Sequence, residues 1–225
     1  MASRVIHLAV AYELAARNDI KDTARFYFGH MLPDMVMGEY EVRLPLKQQT
    51  HFYTLLPSGR KTYDFMAFYN DYKDKLSDAL YLGYYFHLIE DDIFRQYLYY
   101  RVGLLKRRGE KKLLDEIYSD YHKLNHLLCD KYGLTLPTVP DGLENEPVYK
   151  RFDFTVNEWL DEMKEDLSER TEGMLMHFTR ELIAEFINEC ADEISKEYES
   201  ILHGTHYLDI NTYSIENYYK GELRK

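Results

Sequence analysis

At 225 residues, with 45% apolar and 30% charged side chains, the chain has globular composition. It is long enough to bury roughly 70% of its unfolded surface around a core of its own, which excludes wholesale disorder. With 28 Lys and Arg against 39 Asp and Glu, the formal charge is −11, a surface that repels nucleic-acid backbones and anionic lipid.

The hydrophobic period predicts helices almost throughout. Val5, Ile6, Leu8, Ala9, Tyr12 and Leu14 mark a first helix that Asn18-Asp19 ends, and Asp22 or Thr23 caps a short second one with Gly29 near its end. Leu32-Pro33-Asp34 reads as a break. Residues 39–62, with Pro45, Pro57 and Gly59, read as an irregular excursion. Helical spacing returns at Tyr63. Residues 78–105 read as one long central helix, apolar around most of its circumference. A further helix spans 110–132 and stops at Gly133, a proline-rich stretch 134–150 resembles a linker, and amphipathic helices follow at about 154–168 and 174–202. The expectation is an all-α, multi-helix bundle forming one domain. Residues 1–133 make its helical core, 134–150 a linker-like loop, and 151–225 pack on the same core.

Other features set the surroundings. Cys129 and Cys190 cannot build a disulfide framework, which points to a reducing compartment. The basic run Lys106-Arg107-Arg108 with Lys111-Lys112 is followed by acids and reads as a helix junction. His7 and Glu13 interrupt the apolar N-terminal stretch, and nothing reaches the eighteen or so apolar residues of a membrane span. A cytoplasmic location is expected, with oligomeric state open.

Chemistry enters at His87 and Asp91 in the central helix. Four residues apart, they project within about 40° of each other and reach the same point. In a buried helix such a pair needs a partner. A metal ion satisfies both groups; a His–Asp hydrogen bond bridging helices is the plainer alternative, and spacing alone leaves the two open. His7 in the apolar first helix, Asp34 after Leu32-Pro33, and His51 in Thr50-His51-Phe52-Tyr53 occupy comparable settings.

The ordered set Ser3-Arg4-Val5-Ile6-His7, Gly29-His30-Met31-Leu32-Pro33-Asp34, His51-Phe52 and Tyr84-Tyr85-Phe86-His87-Leu88-Ile89-Glu90-Asp91 resembles the zinc-dependent phospholipase C and P1-nuclease family, in particular its short, unsecreted bacterial branch of hydrolases. The likeness covers residues 4 to about 95. It implies a helical domain whose zinc ions hydrolyse phosphate esters. By that likeness Asp34, His51 and His87 hold one zinc, Asp91 bridges two, and His7 matches the first-helix histidine. The sequence departs from the pattern in two places. Secreted members use an N-terminal tryptophan as a ligand, where this chain has Met-Ala-Ser, and the family's later histidine falls where Tyr97 stands. His177 and Glu181 have His-x-x-x-Glu spacing but lie much further along the chain. A site with one or two ions is therefore expected.

His nitrogen and Asp oxygen suit zinc, manganese or iron, zinc foremost. Asp34 and Asp91 are the expected catalytic carboxylates, Asp34 as a general base and Asp91 as the bridge. Glu90 lies about 60° round the helix from His87 and is placed behind the ligands. Asp92 points further away, as a surface acid or helix contact. Arg95 pairs with a carboxylate or with substrate phosphate. Asp120 either joins the site or makes a routine hydrogen bond. His30 ends a helix, His122 and His126 lie on a solvated face, and His203 and His206 are surface residues.

The expected function is metal-dependent hydrolysis of a phosphomonoester or phosphodiester by metal-activated water, on a small substrate. Two alternatives stand beside it. An HD-type nucleotide phosphohydrolase also uses helix-borne His and Asp, but as sequence neighbours, whereas here three residues intervene. A non-catalytic helical binding protein would retain a structural metal.

Overall fold

The computed structural model describes residues 2–55 and 61–210, and these are helical almost throughout. Nine α-helices occur among the described residues: α1 (Arg4–Arg17), α2 (Thr23–Met31), α3 (Tyr40–Thr50), α4 (Phe65–Tyr72), α5 (Ala79–Gln96), α6 (Lys111–Tyr132), α7 (Pro147–Arg151), α8 (Val156–Ser168) and α9 (Arg180–Leu202). One antiparallel hairpin, β1 (Tyr53–Leu55) with β2 (Lys61–Tyr63), pairs Tyr53 with Tyr63 and Thr54 with Thr62. The all-α expectation holds. None of the described helices is long and apolar enough to cross a membrane.

Short polar side chains start several of the helices. Ser3 Oγ accepts the Ile6 amide at 3.2 Å, Asp22 that of Arg25 at 3.2 Å, Asp64 that of Ala67 at 2.9 Å and Asp78 that of Leu80 at 2.9 Å. Gly133, left-handed at φ 63°, closes α6 by donating its amide to the Cys129 carbonyl.

Helix α5 is the central element, buried from Leu80 to Phe94 on every side. It packs against α1, α2, α4 and α9, and α1 in turn lies on α2, α6, α8 and α9. Two glycines let α2 and α5 cross at backbone distance. A Cβ on Gly29 would lie 2.1 Å from the Leu80 carbonyl oxygen, and one on Gly83 2.4 Å from that of Phe26. This close crossing brings the end of α2 against the middle of α5.

Several boundaries differ from expectation. The stretch at about 39–62 is not an irregular excursion: it holds α3 and the hairpin, while Pro57 and Gly59 lie outside the described residues. Pro45 sits inside α3, where its missing amide deprives only the exposed Glu41 carbonyl, which water can serve. The central helix ends at Gln96 rather than near 105. A single π turn over Tyr97–Arg101 loosens the ladder, and Gly103 at φ 85° ends it. The last helix begins at Arg180, not 174. The proline-rich stretch 134–150 contains α7 and is strapped to the core: Glu146 pairs with Arg25 of α2 and accepts the Tyr81 hydroxyl of α5 at 3.0 Å.

Candidate metal centre

The five residues singled out from the sequence meet at one place. His7 comes from the start of α1, Asp34 from the 3-10 turn that follows α2, His51 from the C-terminal end of α3, and His87 and Asp91 from α5. All are buried, Asp34 least so at 8% exposed. His51 Nε2 lies 3.2 Å from Asp34 Oδ1, 3.2 Å from His87 Nε2 and 3.3 Å from Asp91 Oδ2. His87 Nε2 is 3.8 Å from Asp34 Oδ1 and 4.0 Å from Asp91 Oδ2. The other oxygens of the same two carboxylates face His7, whose Nε2 is 3.8 Å from Asp34 Oδ2 and 3.5 Å from Asp91 Oδ1.

Local bonds hold these donors in place. Thr50 Oγ1 donates to the Pro33 carbonyl at 2.8 Å, tying the end of α3 to the turn that carries Asp34. Tyr84 of α5 donates its hydroxyl to the Thr50 carbonyl at 2.6 Å. His51 Nδ1 donates to the Lys47 carbonyl at 2.8 Å, so its Nε2 carries a lone pair toward the cluster. Phe52 follows at φ 50°, a left-handed conformation that turns the chain from α3 into β1 and costs an L-residue roughly 1 kcal/mol.

The donors fit a cation. Around a tetrahedral ion with bonds of about 2.1 Å, ligand atoms stand roughly 3.4 Å apart. The spacings of His51 Nε2 and His87 Nε2 from each other and from Asp34 Oδ1 and Asp91 Oδ2 bracket that value. Two sets, Asp34/His51/His87 and His7/His30/His87, could each hold a metal ion, their ligand atoms lying within 4.8 Å of one another. Both nitrogens of His7, both oxygens of Asp91 and Nδ1 of His30 and His87 are buried without a well-directed hydrogen bond among the described residues. Such groups cost about 1–3 kcal/mol each when nothing satisfies them, and more when charged.

Charge follows the same geometry. Burial pulls the His7 imidazole down, but Glu90, Asp91 and Asp34 outweigh it and push it up to about 8. Burial, seconded by the neighbouring His7, drives His87 well below the usual imidazole range, which leaves it neutral. Burial also opposes ionisation of the carboxyls, yet Lys47, His51 and His87 hold Asp34 well below its usual range, and His51 and His7 do the same for Asp91.

Two residues of the centre, His30 and Lys47, escaped the sequence reading, and Glu90 sits behind the ligands. His30 does more than end α2: wholly buried, its Nε2 is 2.6 Å from Glu90 Oε2. Glu90, expected behind the ligands, presents Oε1 to His7 Nδ1 at 3.0 Å, so it links two imidazoles. Lys47, not singled out at all, places its ammonium 2.7 Å from Asp34 Oδ1. The Gly-His pair at 29–30 was the available signal, since a glycine that allows a close helix crossing also carries its neighbour inward.

Other candidates lie elsewhere. Asp92 is fully buried rather than a surface acid. It pairs with Arg95, which also donates to Thr62 Oγ1 at 3.1 Å and stacks on the Tyr63 ring, fastening the hairpin to α5. Burial and the nearby Asp91 raise the Asp92 carboxyl to about 7 against the pull of Arg95. Asp120 accepts the amides of Met176, His177 and Phe178, the routine alternative. His177 pairs with Glu116 at 2.8 Å, and Glu181 lies in the first turn of α9. His122 pairs with Glu169 on an exposed face, and His206 with Glu197.

No protein-family model matches the chain, nor does any curated protein or solved structure.

Proposed function

We propose that the protein is a metal-dependent hydrolase of phosphate esters, with one or two divalent ions, zinc foremost, held by His7, Asp34, His51, His87 and Asp91. The observation that carries this reading is the ligand-like spacing of four buried donors from three separate segments, with the opposite oxygens of the same two carboxylates turned toward His7. The ordered likeness to the zinc-dependent phospholipase C and P1-nuclease family supports the same reading.

A divalent ion at such a site acidifies a bound water and offsets the charge of a phosphate ester. The chain's residues do the rest. His51, fixed in one tautomer by the Lys47 carbonyl, and neutral His87 offer lone pairs without reorganisation. Glu90 sets the ring of His7 in the same way. Asp34, the most exposed of the five, is positioned to take the proton of an attacking water through one oxygen. Asp91, wholly buried on α5, spans the His7 and His51 sides. Burial of the remaining donors keeps bulk water from competing.

The depth of the cluster favours a second reading, a structural metal in a non-catalytic helical protein. One experiment separates them: metal analysis of the purified protein, followed by a nitrophenyl phosphate screen across zinc, manganese and iron. Bound metal with turnover supports the hydrolase. Bound metal, melting on chelation and no turnover supports the structural role. Protein that takes up no metal rejects both.

A further inference from the structure

We propose that Lys47 is the phosphate-recognition residue at the mouth of the centre, and that in the metal-free chain its ammonium stands in for the missing cation. The inference rests on the hydrolase reading above. It starts from accessibility. The side chains of His7, His87 and Asp91 are 0% exposed and that of His51 1%, whereas Asp34 reaches 6% and Lys47 19%. Solvent therefore meets the cluster on the side of Asp34 and Lys47. A ligand arriving from solvent meets that ammonium first.

The placement is specific. Lys47 lies one turn before His51 on α3, and its carbonyl already fixes the His51 ring. Its ammonium contacts Asp34 Oδ1, the same oxygen that faces His51 Nε2 and His87 Nε2. One carboxylate oxygen thus serves two positive charges once the centre is loaded. Those charges repel at such range in a poorly solvated site. A flexible four-carbon stem with a path to solvent lets the ammonium swing outward. An anion lodged between ammonium and centre is then attracted by both. Lysine suits this task, because a compact ammonium pairs with phosphate oxygens as a point charge. The whole-molecule charge gives the need. A chain with formal charge −11 repels a phosphate ester at long range, so a local cation at the mouth offsets that field.

The two parts have opposite signs. Removing the ammonium should help metal to bind, because a competitor for Asp34 is gone, and should hinder phosphate. A merely structural role would weaken both. The test is calorimetric titration of zinc into metal-free protein and of inorganic phosphate into zinc-loaded, desalted protein, for the unmodified chain, Lys47→Gln and Lys47→Arg. Lys47→Gln should bind phosphate roughly ten- to hundredfold more weakly and zinc roughly severalfold more tightly, while Lys47→Arg keeps phosphate affinity within about threefold. Unchanged phosphate affinity in Lys47→Gln, or zinc affinity that fails to rise, overturns the assignment. If the unmodified chain takes up zinc but no phosphate, the hydrolase reading fails and Lys47 loses its role with it. If it binds both and Lys47→Gln behaves as unmodified, only the Lys47 assignment falls.

Discussion

Two regions of this molecule bury acids, and they do so in opposite ways. In the C-terminal half, Asp120 accepts backbone amides from Met176, His177 and Phe178, and Glu197 accepts the Tyr85 hydroxyl at 2.8 Å with the amides of Tyr207 and Leu208 at 2.8 and 2.7 Å. Both are fully buried and both are saturated with donors. Asp91 is as deeply buried, yet neither of its oxygens has a well-directed hydrogen bond among the described residues, and what faces them are imidazoles. Burial of a carboxylate therefore says little about function. What distinguishes the candidate centre is that its acids face other lone-pair donors, an arrangement only protons or a cation can stabilise.

That contrast can be broken by substitution. Asp91→Asn should abolish metal uptake and lower any turnover roughly a thousandfold, read by elemental analysis and a phosphatase assay. Equal metal content in the variant and the unmodified protein would place the ion elsewhere. Asp120→Ala should do the reverse. It strands the buried amide of Phe178 and the part-buried ones of Met176 and His177, and should lower unfolding free energy by roughly 2 kcal/mol in a denaturant titration, with metal content untouched.

The pH response sharpens the comparison. In the metal-free chain His7 is raised from an unfolded value near 6.5 to about 8, so the stability it contributes is fully present below 6.5 and is lost as pH rises through 8. The loss amounts to roughly 2 kcal/mol, with His51 acting in the same direction. Urea titrations of metal-free protein at pH 6 and 9 should show it, and His7→Gln or metal loading should flatten the slope. A smaller effect is expected at Glu90, whose substitution by Gln removes the charge that orients His7 and should weaken zinc binding roughly tenfold. Unaltered affinity would make Glu90 a spectator.

Much of the site was legible from spacing because His87 and Asp91 share one helix, where four residues bring side chains back to the same face. The helix cap at Asp22 was legible, as one of two candidates with Thr23, for a similar reason: the bond that starts the helix is made to an amide three residues away. His30 was harder. A histidine after a glycine at a helix end carries no sign of burial until Gly29 is seen against the Leu80 carbonyl. Pro45 misled in the other direction: a proline inside a helix loses one hydrogen bond and crowds the carbonyl four residues back, yet here that carbonyl belongs to exposed Glu41 near the start of α3 and the helix continues.

Composition, period and capping thus determined the helical class and the buried central helix with its His87–Asp91 pair, since each depends on residues close in the chain; His7, Asp34 and His51 joined that pair only through the ordered family likeness. Which oxygen faces which nitrogen, the linking of His7 and His30 through Glu90, and the ammonium on Asp34 were decided by tertiary structure. They depend on how α1, α2, α3 and α5 cross, and helix crossings are set by backbone approach and side-chain packing between segments far apart in sequence.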